Sequence, residues 1–175
     1  MGGMSEGPVS YVVLCVAAMA CVTDIRRRRI PNVLTFGAAA AGVVFHGATG
    51  GTHGLVLAVS GWSVGLLVFL PFFMLGGMGG GDVKLLAALG AWVGPGDAVW
   101  LAIYSSLAGG VLGVGVALSR NYLGTALRNL KTMFVSWWLV GPRPLASMTL
   151  EDSKAPRLAY AVPMLIGAMV TIWFR

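Results

Sequence analysis

Apolar runs of membrane-crossing length, punctuated by glycine, proline and clusters of positive charge, dominate this chain. They are Val9–Thr23, Val33–Ala48, Gly54–Leu75, Val83–Val93, Ala98–Leu118 and Leu158–Phe174. A bilayer hydrocarbon core of roughly 30 Å takes about 20 apolar residues per helix, so such runs predict transmembrane helices rather than the elements of a water-soluble core. Val83–Val93 is too short to cross alone and is expected to begin inside the bundle, where irregular backbone is tolerated only if protein or water satisfies its polar groups. The expected architecture is all-α, a polytopic transmembrane bundle of about six helices. It forms a single domain over residues 1–175, with one long interfacial or cytoplasmic connection at about 120–156.

Composition supports that solvent. The 175 residues are 57% hydrophobic and 10% charged, with a mean hydropathy of +0.83, whereas soluble domains carry roughly 25% charged residues. The net charge of +6 does not indicate nucleic acid, because the bases lie between apolar runs. Anionic lipid headgroups are the expected partner. The first ten residues hold Glu6 and no Lys or Arg, so the first run is expected to stay as a helix rather than be removed as a signal peptide. Cys15 and Cys21, both in that run, offer neither a metal-binding spacing nor a disulfide framework.

Orientation follows from the twelve Lys and Arg residues. With six spans, Arg26–Arg29, Lys84, Arg120, Arg128, Lys131, Arg143, Lys154 and Arg157 all fall on one side, and only Arg175 on the other. The positive-inside rule makes the rich side cytoplasmic and leaves both termini outside. The same topology puts Asp24, at the end of the first run, and Asp82, at the start of the fourth, on one cytoplasmic rim. The first part of the 120–156 connection mixes bases with Leu, Met, Phe and Trp and is expected to lie on the membrane surface as an amphipathic helix; the remainder reads as an exposed loop. Trp92 and Trp100, flanking Gly94–Asp97, are expected at the interfacial level around a tight turn.

Ionisable groups at membrane depth are costly and mark function. Asp24 and Asp82, with Lys84, meet that description. Two carboxylates held close together tend to share one proton. The ionised member can take a proton from water while the protonated member polarises a carbonyl, which is amide hydrolysis without metal or cofactor. Five glycines stand among the six residues Gly76–Gly81. Gly79, Gly80 and Gly81 are therefore candidates for letting an extended peptide lie beside Asp82, with Lys84 as a further positioning residue; the alternative is that the glycines merely break a helix and Asp82 caps the next one. The four arginines are expected to anchor topology by reaching lipid phosphates. His46 and His53 fall near the opposite turn and are not expected to bind metal, Asp97 looks structural, and Glu151 and Asp152 lie in the exposed loop.

Three passages resemble one family. Asp24–Ile25–Arg26 followed by Arg29–Ile30–Pro31–Asn32 is similar to the Asp-x-Arg…Ile-Pro-Asn segment of type IV prepilin peptidases. Gly79–Leu85 matches their GxGD signature and its continuation, and Ala159–Pro163 resembles the pattern of their last helix. The likeness is nearest to the short branch serving tight-adherence (Flp-type) pili. It implies that Asp24 and Asp82 are the catalytic pair, and that the substrate is a prepilin or pseudopilin with a short basic leader ahead of a hydrophobic helix. Cleavage is implied at the cytoplasmic face of the bacterial inner membrane. Longer members carry a cysteine-rich zinc-binding insertion that accompanies N-methylation; those cysteines are not found in this sequence, so peptidase activity alone is expected. The competing possibility is a non-enzymatic transporter or assembly subunit whose two acids form an ion or proton site. A presenilin-like protease fits less well, since Thr23–Asp24–Ile25 lacks its Tyr-Asp setting.

Overall fold

A computed structural model describes residues 7–121, 123–125, 127–129, 131–132 and 159–174. The long helices are α1 (Pro8–Arg27), α2 (Asn32–Met74), α3 (Gly80–Ser119) and α4 (Ala161–Phe174). The first three are long and apolar enough to cross a membrane, and no strand occurs among the described residues. Residues 123–125, 127–129 and 131–132 are also helical, in keeping with the helix expected at the start of the long connection. The loop expected to follow it, including Arg143, Glu151, Asp152, Lys154 and Arg157, lies outside the described residues, as do Glu6 and Arg175.

Two of the long helices are hairpins. A straight 43-residue α2 would measure about 64 Å, roughly twice the hydrocarbon thickness. Instead Gly51, at φ 58° and ψ −138°, reverses the chain. His46 and Gly54, which would stand about 12 Å apart along a straight helix, come into backbone contact: a Cβ on Gly54 would meet the His46 carbonyl. In α3 the same work is done by Gly94 (φ 81°, ψ 174°) followed by Pro95. Positive φ is open to glycine at little steric cost, and proline fits the first turn of the returning limb. Counted by limbs, the four long helices give six segments, and the expected all-α membrane-helical bundle is what forms.

The short fourth run becomes the centre of the bundle. Leu85–Ala91 are buried without interruption in the limb before Gly94, a helix apolar on every side, as befits an element surrounded by others. α2 packs chiefly on α3, and α4 packs on α3 and α1. The α2–α3 contact rests on missing side chains: a Cβ on Gly61 would meet the Gly90 carbonyl, one on Gly90 would meet the Gly61 carbonyl, and one on Gly65 would lie 2.6 Å from the Leu86 carbonyl. Small residues that let backbones approach are how helices associate in lipid. Outward-facing Val33, Val44, Val111, Leu118 and Trp173 are exposed, which suits lipid contact.

Trp92 departs from expectation. Rather than sitting at an interface it is 6% exposed, with its indole N–H donating to the Ala38 carbonyl at 2.8 Å. Its own carbonyl is 2.9 Å from Nε2 of His46, and Gly42 leaves room for its ring. An indole with a hydrogen-bond partner can enter a core. His46, in turn, serves the α2–α3 seam.

Candidate active site

Asp24 stands in the last turn of α1, held there by local geometry. Arg28, at φ 51°, ends the helix in the left-handed region and donates its N–H to the Asp24 carbonyl at 2.8 Å. The chain then passes Arg29 and Ile30 to Pro31, which is the N-cap of α2 rather than its first helical residue. The Pro31 carbonyl accepts the N–H groups of Leu34 and Thr35 at 3.0 and 3.3 Å. With φ near −65° and no N–H of its own, proline suits this entry.

Asp82 stands one turn into α3. Gly76, at φ 75°, closes α2: its N–H and that of Gly77 bond the carbonyls of Phe73 and Phe72, each at 2.9 Å, a glycine-terminated helix end. Gly79 is the N-cap of α3 and accepts the Asp82 N–H at 3.1 Å. The Asp82 carboxylate reaches back to the Gly79 N–H, which makes a reciprocal cap of the capping-box kind. Of the glycine stretch only Gly76 uses positive φ; Gly80 and Gly81 belong to the first helical turn. Their bareness serves packing, against the Phe73 ring and the Ile30 side chain respectively. Asp82 is thus third in the helix, with Gly79 as the cap in its place.

The two acids meet. Asp24 and Asp82 line one open cleft of about 610 Å³, together with Arg27–Asn32 of the α1–α2 loop and Gly79–Gly81. The cleft is therefore lined by two carboxylates and by three arginines, Arg27, Arg28 and Arg29. Lys84 is not in it. Its ammonium donates to Asn32 Oδ1 at 3.1 Å and lies 5.5 Å from the centre of the Phe36 ring, tying the start of α3 to the start of α2. Among the described residues no group of three or more His, Cys, Asp and Glu side chains could hold a metal ion. What the arrangement can do is move protons between two carboxylates and a water or substrate between them.

One partner of the site has no counterpart in the sequence expectations. Oδ2 of Asp24 accepts the backbone N–H of Ala161, the first residue of α4, at 3.3 Å. No spacing rule joins positions so far apart. The only signal was the Ala159–Pro163 passage, which marked the segment but gave it no part in the site.

A bundle of apolar helices that brings two carboxylates to one cleft beside a basic loop defines a helical membrane protein with a candidate acid-pair site. The sequence profile of the type IV leader peptidase family matches residues 11–114, and the chain belongs to that family. Over 106 residues it is 39% identical to the prepilin leader peptidase/N-methyltransferase of Aeromonas hydrophila, covering 57% of this chain and 36% of that protein. The like-named protein of Aeromonas salmonicida matches to the same extent. The match thus spans about a third of the length of these curated relatives. No solved structure matches the chain.

Proposed function

We propose that this chain is a membrane aspartyl endopeptidase that removes the short basic leader from type IV prepilins or pseudopilins, of the Flp type, at the cytoplasmic face of the inner membrane. The observation that carries it is the convergence of Asp24 and Asp82 on one cleft in a chain whose family processes leaders. The ionised carboxylate takes a proton from water, whose oxygen attacks the scissile carbonyl carbon while the protonated carboxylate donates to the carbonyl oxygen. Collapse of the tetrahedral intermediate breaks the C–N bond and returns a proton to the leaving amine. Neither residue is assigned as the fixed acid or the fixed base. Gly79 leaves the approach to the Asp82 carboxylate free of a side chain, Gly80 and Gly81 let the first turn of α3 pack closely, and Lys84 supports that wall through Asn32. The whole bundle acts as a single peptidase unit with its arginine-rich loop toward the cytoplasm.

An ion-site role is less well supported. Asp97, the other carboxylate among the described residues, belongs to the Gly94 turn, so no chain of acids leads from one face to the other as a transport path requires.

The test is purified full-length protein in detergent with a synthetic peptide bearing a basic leader ahead of an apolar helix, its products read by mass spectrometry. A single cut at the border between leader and helix, unchanged by chelators, is expected. No cut, or activity lost to chelation and restored by zinc, contradicts the proposal. A membrane-impermeant label at Arg27→Cys should react only from the cytoplasmic side.

A further inference from the structure

Tyr160 is the last residue before α4, and its carbonyl accepts the Met164 N–H at 3.2 Å as the helix begins. The next amide, that of Ala161, is the one bonded to Asp24. Whatever fixes Tyr160 therefore fixes a donor on one of the two acids. Its ring is seated from two sides. On α2, Phe69, itself 1% exposed, meets it edge to face, with centroids 5.9 Å apart and planes at 78°. On α3, Gly109 lies so close that an added Cβ would stand 2.9 Å from Tyr160 Cε2 and 3.1 Å from its hydroxyl. The hydroxyl also engages the side chain of Ser106.

The geometry points to Tyr160 as a positioning residue for the acid pair: wedged between Phe69 and Gly109, it holds the start of α4 so that the Ala161 amide stays on the Asp24 carboxylate. It acts through Ala161 and not on substrate. The residue thus links α2, α3 and α4 to an acid carried by α1, and the inference rests on the peptidase function proposed above. An edge-to-face pair orients as well as buries. A half-buried ring with one bare glycine against it has little room to swing. Gly109 matters because it is the space the ring occupies.

The experiment compares Tyr160→Ala, Tyr160→Phe and Gly109→Ala in the full chain, with leader cleavage resolved into kcat and KM and folding followed by thermal unfolding in detergent. Displacing one acid by a fraction of an ångström to an ångström is expected to lower kcat by about tenfold or more, with KM unchanged, in Tyr160→Ala and Gly109→Ala. Tyr160→Phe, which keeps the ring contacts and loses the Ser106 bond, should restore the rate to within about threefold of wild type. A second readout needs no cleavage: hydrogen exchange at the Ala161 amide should accelerate in Tyr160→Ala, in Gly109→Ala and in Asp24→Ala, which removes the acceptor. Gly109→Ala keeps the Tyr160 side chain but crowds it out of its seat, and keeps the test open if Tyr160→Ala does not fold.

Unchanged kcat in folded Tyr160→Ala, a change in KM alone, or unaltered exchange at Ala161 would each overturn the positioning role while leaving the acid pair standing. Should wild type itself cut nothing, the peptidase proposal fails, and the exchange measurement still decides whether Tyr160 holds this amide.

Discussion

A Cβ placed on Gly79 would stand 3.1 Å from Oδ2 of Asp82. Gly79 has φ −75° and ψ 143°, values any residue adopts, so alanine there strains no backbone. The added methyl instead presses on the carboxylate that turns back to cap this residue. Gly79→Ala is expected to lower leader cleavage by at least about tenfold with little change in thermal stability, since small displacements of reacting groups are costly. Gly81→Ala, whose Cβ would rest in ordinary contact 3.4 Å from Ile30, should stay within about threefold of wild type on the same grounds. Equal rates for the two variants would show that the Asp82–Gly79 cap does not matter to the chemistry.

Stability in the bundle should track backbone approach. Gly61→Ala would drive a Cβ into the Gly90 carbonyl, whereas Gly37→Ala meets nothing within 4 Å. Overpacking of this kind costs about 1–3 kcal/mol. The Gly37 change should be neutral or raise stability slightly, because alanine is the better helix former by roughly 1 kcal/mol. Thermal unfolding in detergent separates them: a clear loss for Gly61→Ala and none for Gly37→Ala.

Trp92 gives a test away from the cleft. Trp92→Phe removes the N–H that reaches Ala38 and is expected to cost about 1 kcal/mol of stability, in the range of buried interhelical hydrogen bonds. Cleavage per folded molecule should be unchanged, because Trp92 is not among the residues lining the cleft. A large fall in kcat without destabilisation would contradict this structural role.

Lys84 and Asn32 should behave as one unit. Lys84→Met keeps a long apolar side chain beside Phe36 and drops the bond to Asn32; Asn32→Ala drops the same bond from the other end. Each is expected to lower activity modestly, by about threefold or less, and the double variant should match either single one, as coupled partners do in a mutant cycle. Fully additive losses would mean that Lys84 acts on something other than Asn32.

How far the sequence foretold this molecule depends on whether each feature is local. Apolar runs are local, so the six limbs were legible, and Gly94–Pro95 announced its turn because those residues suit a reversal and little else. Asp24 and Asp82 stood out because ionisable groups are rare at membrane depth. The fate of Trp92 was not legible: an indole beside a Gly-Pro turn reads as interfacial, and only the closeness of Gly42 and a second hydrogen bond accepted by the Ala38 carbonyl draw it inward. The Ala161 amide on Asp24 was likewise hidden, since it depends on where the last helix docks. The place of Gly80 and Gly81 inside the helix follows from Gly79 acting as the cap.

The most direct measurement is leader cleavage of a co-expressed prepilin in membranes by Asp24→Asn and Asp82→Asn, each at wild-type abundance and with wild-type thermal unfolding. The acid-pair account predicts that both variants lose cleavage entirely, since neither carboxylate can do the other's part. If either variant cuts at the wild-type rate, that carboxylate is structural and the account is contradicted.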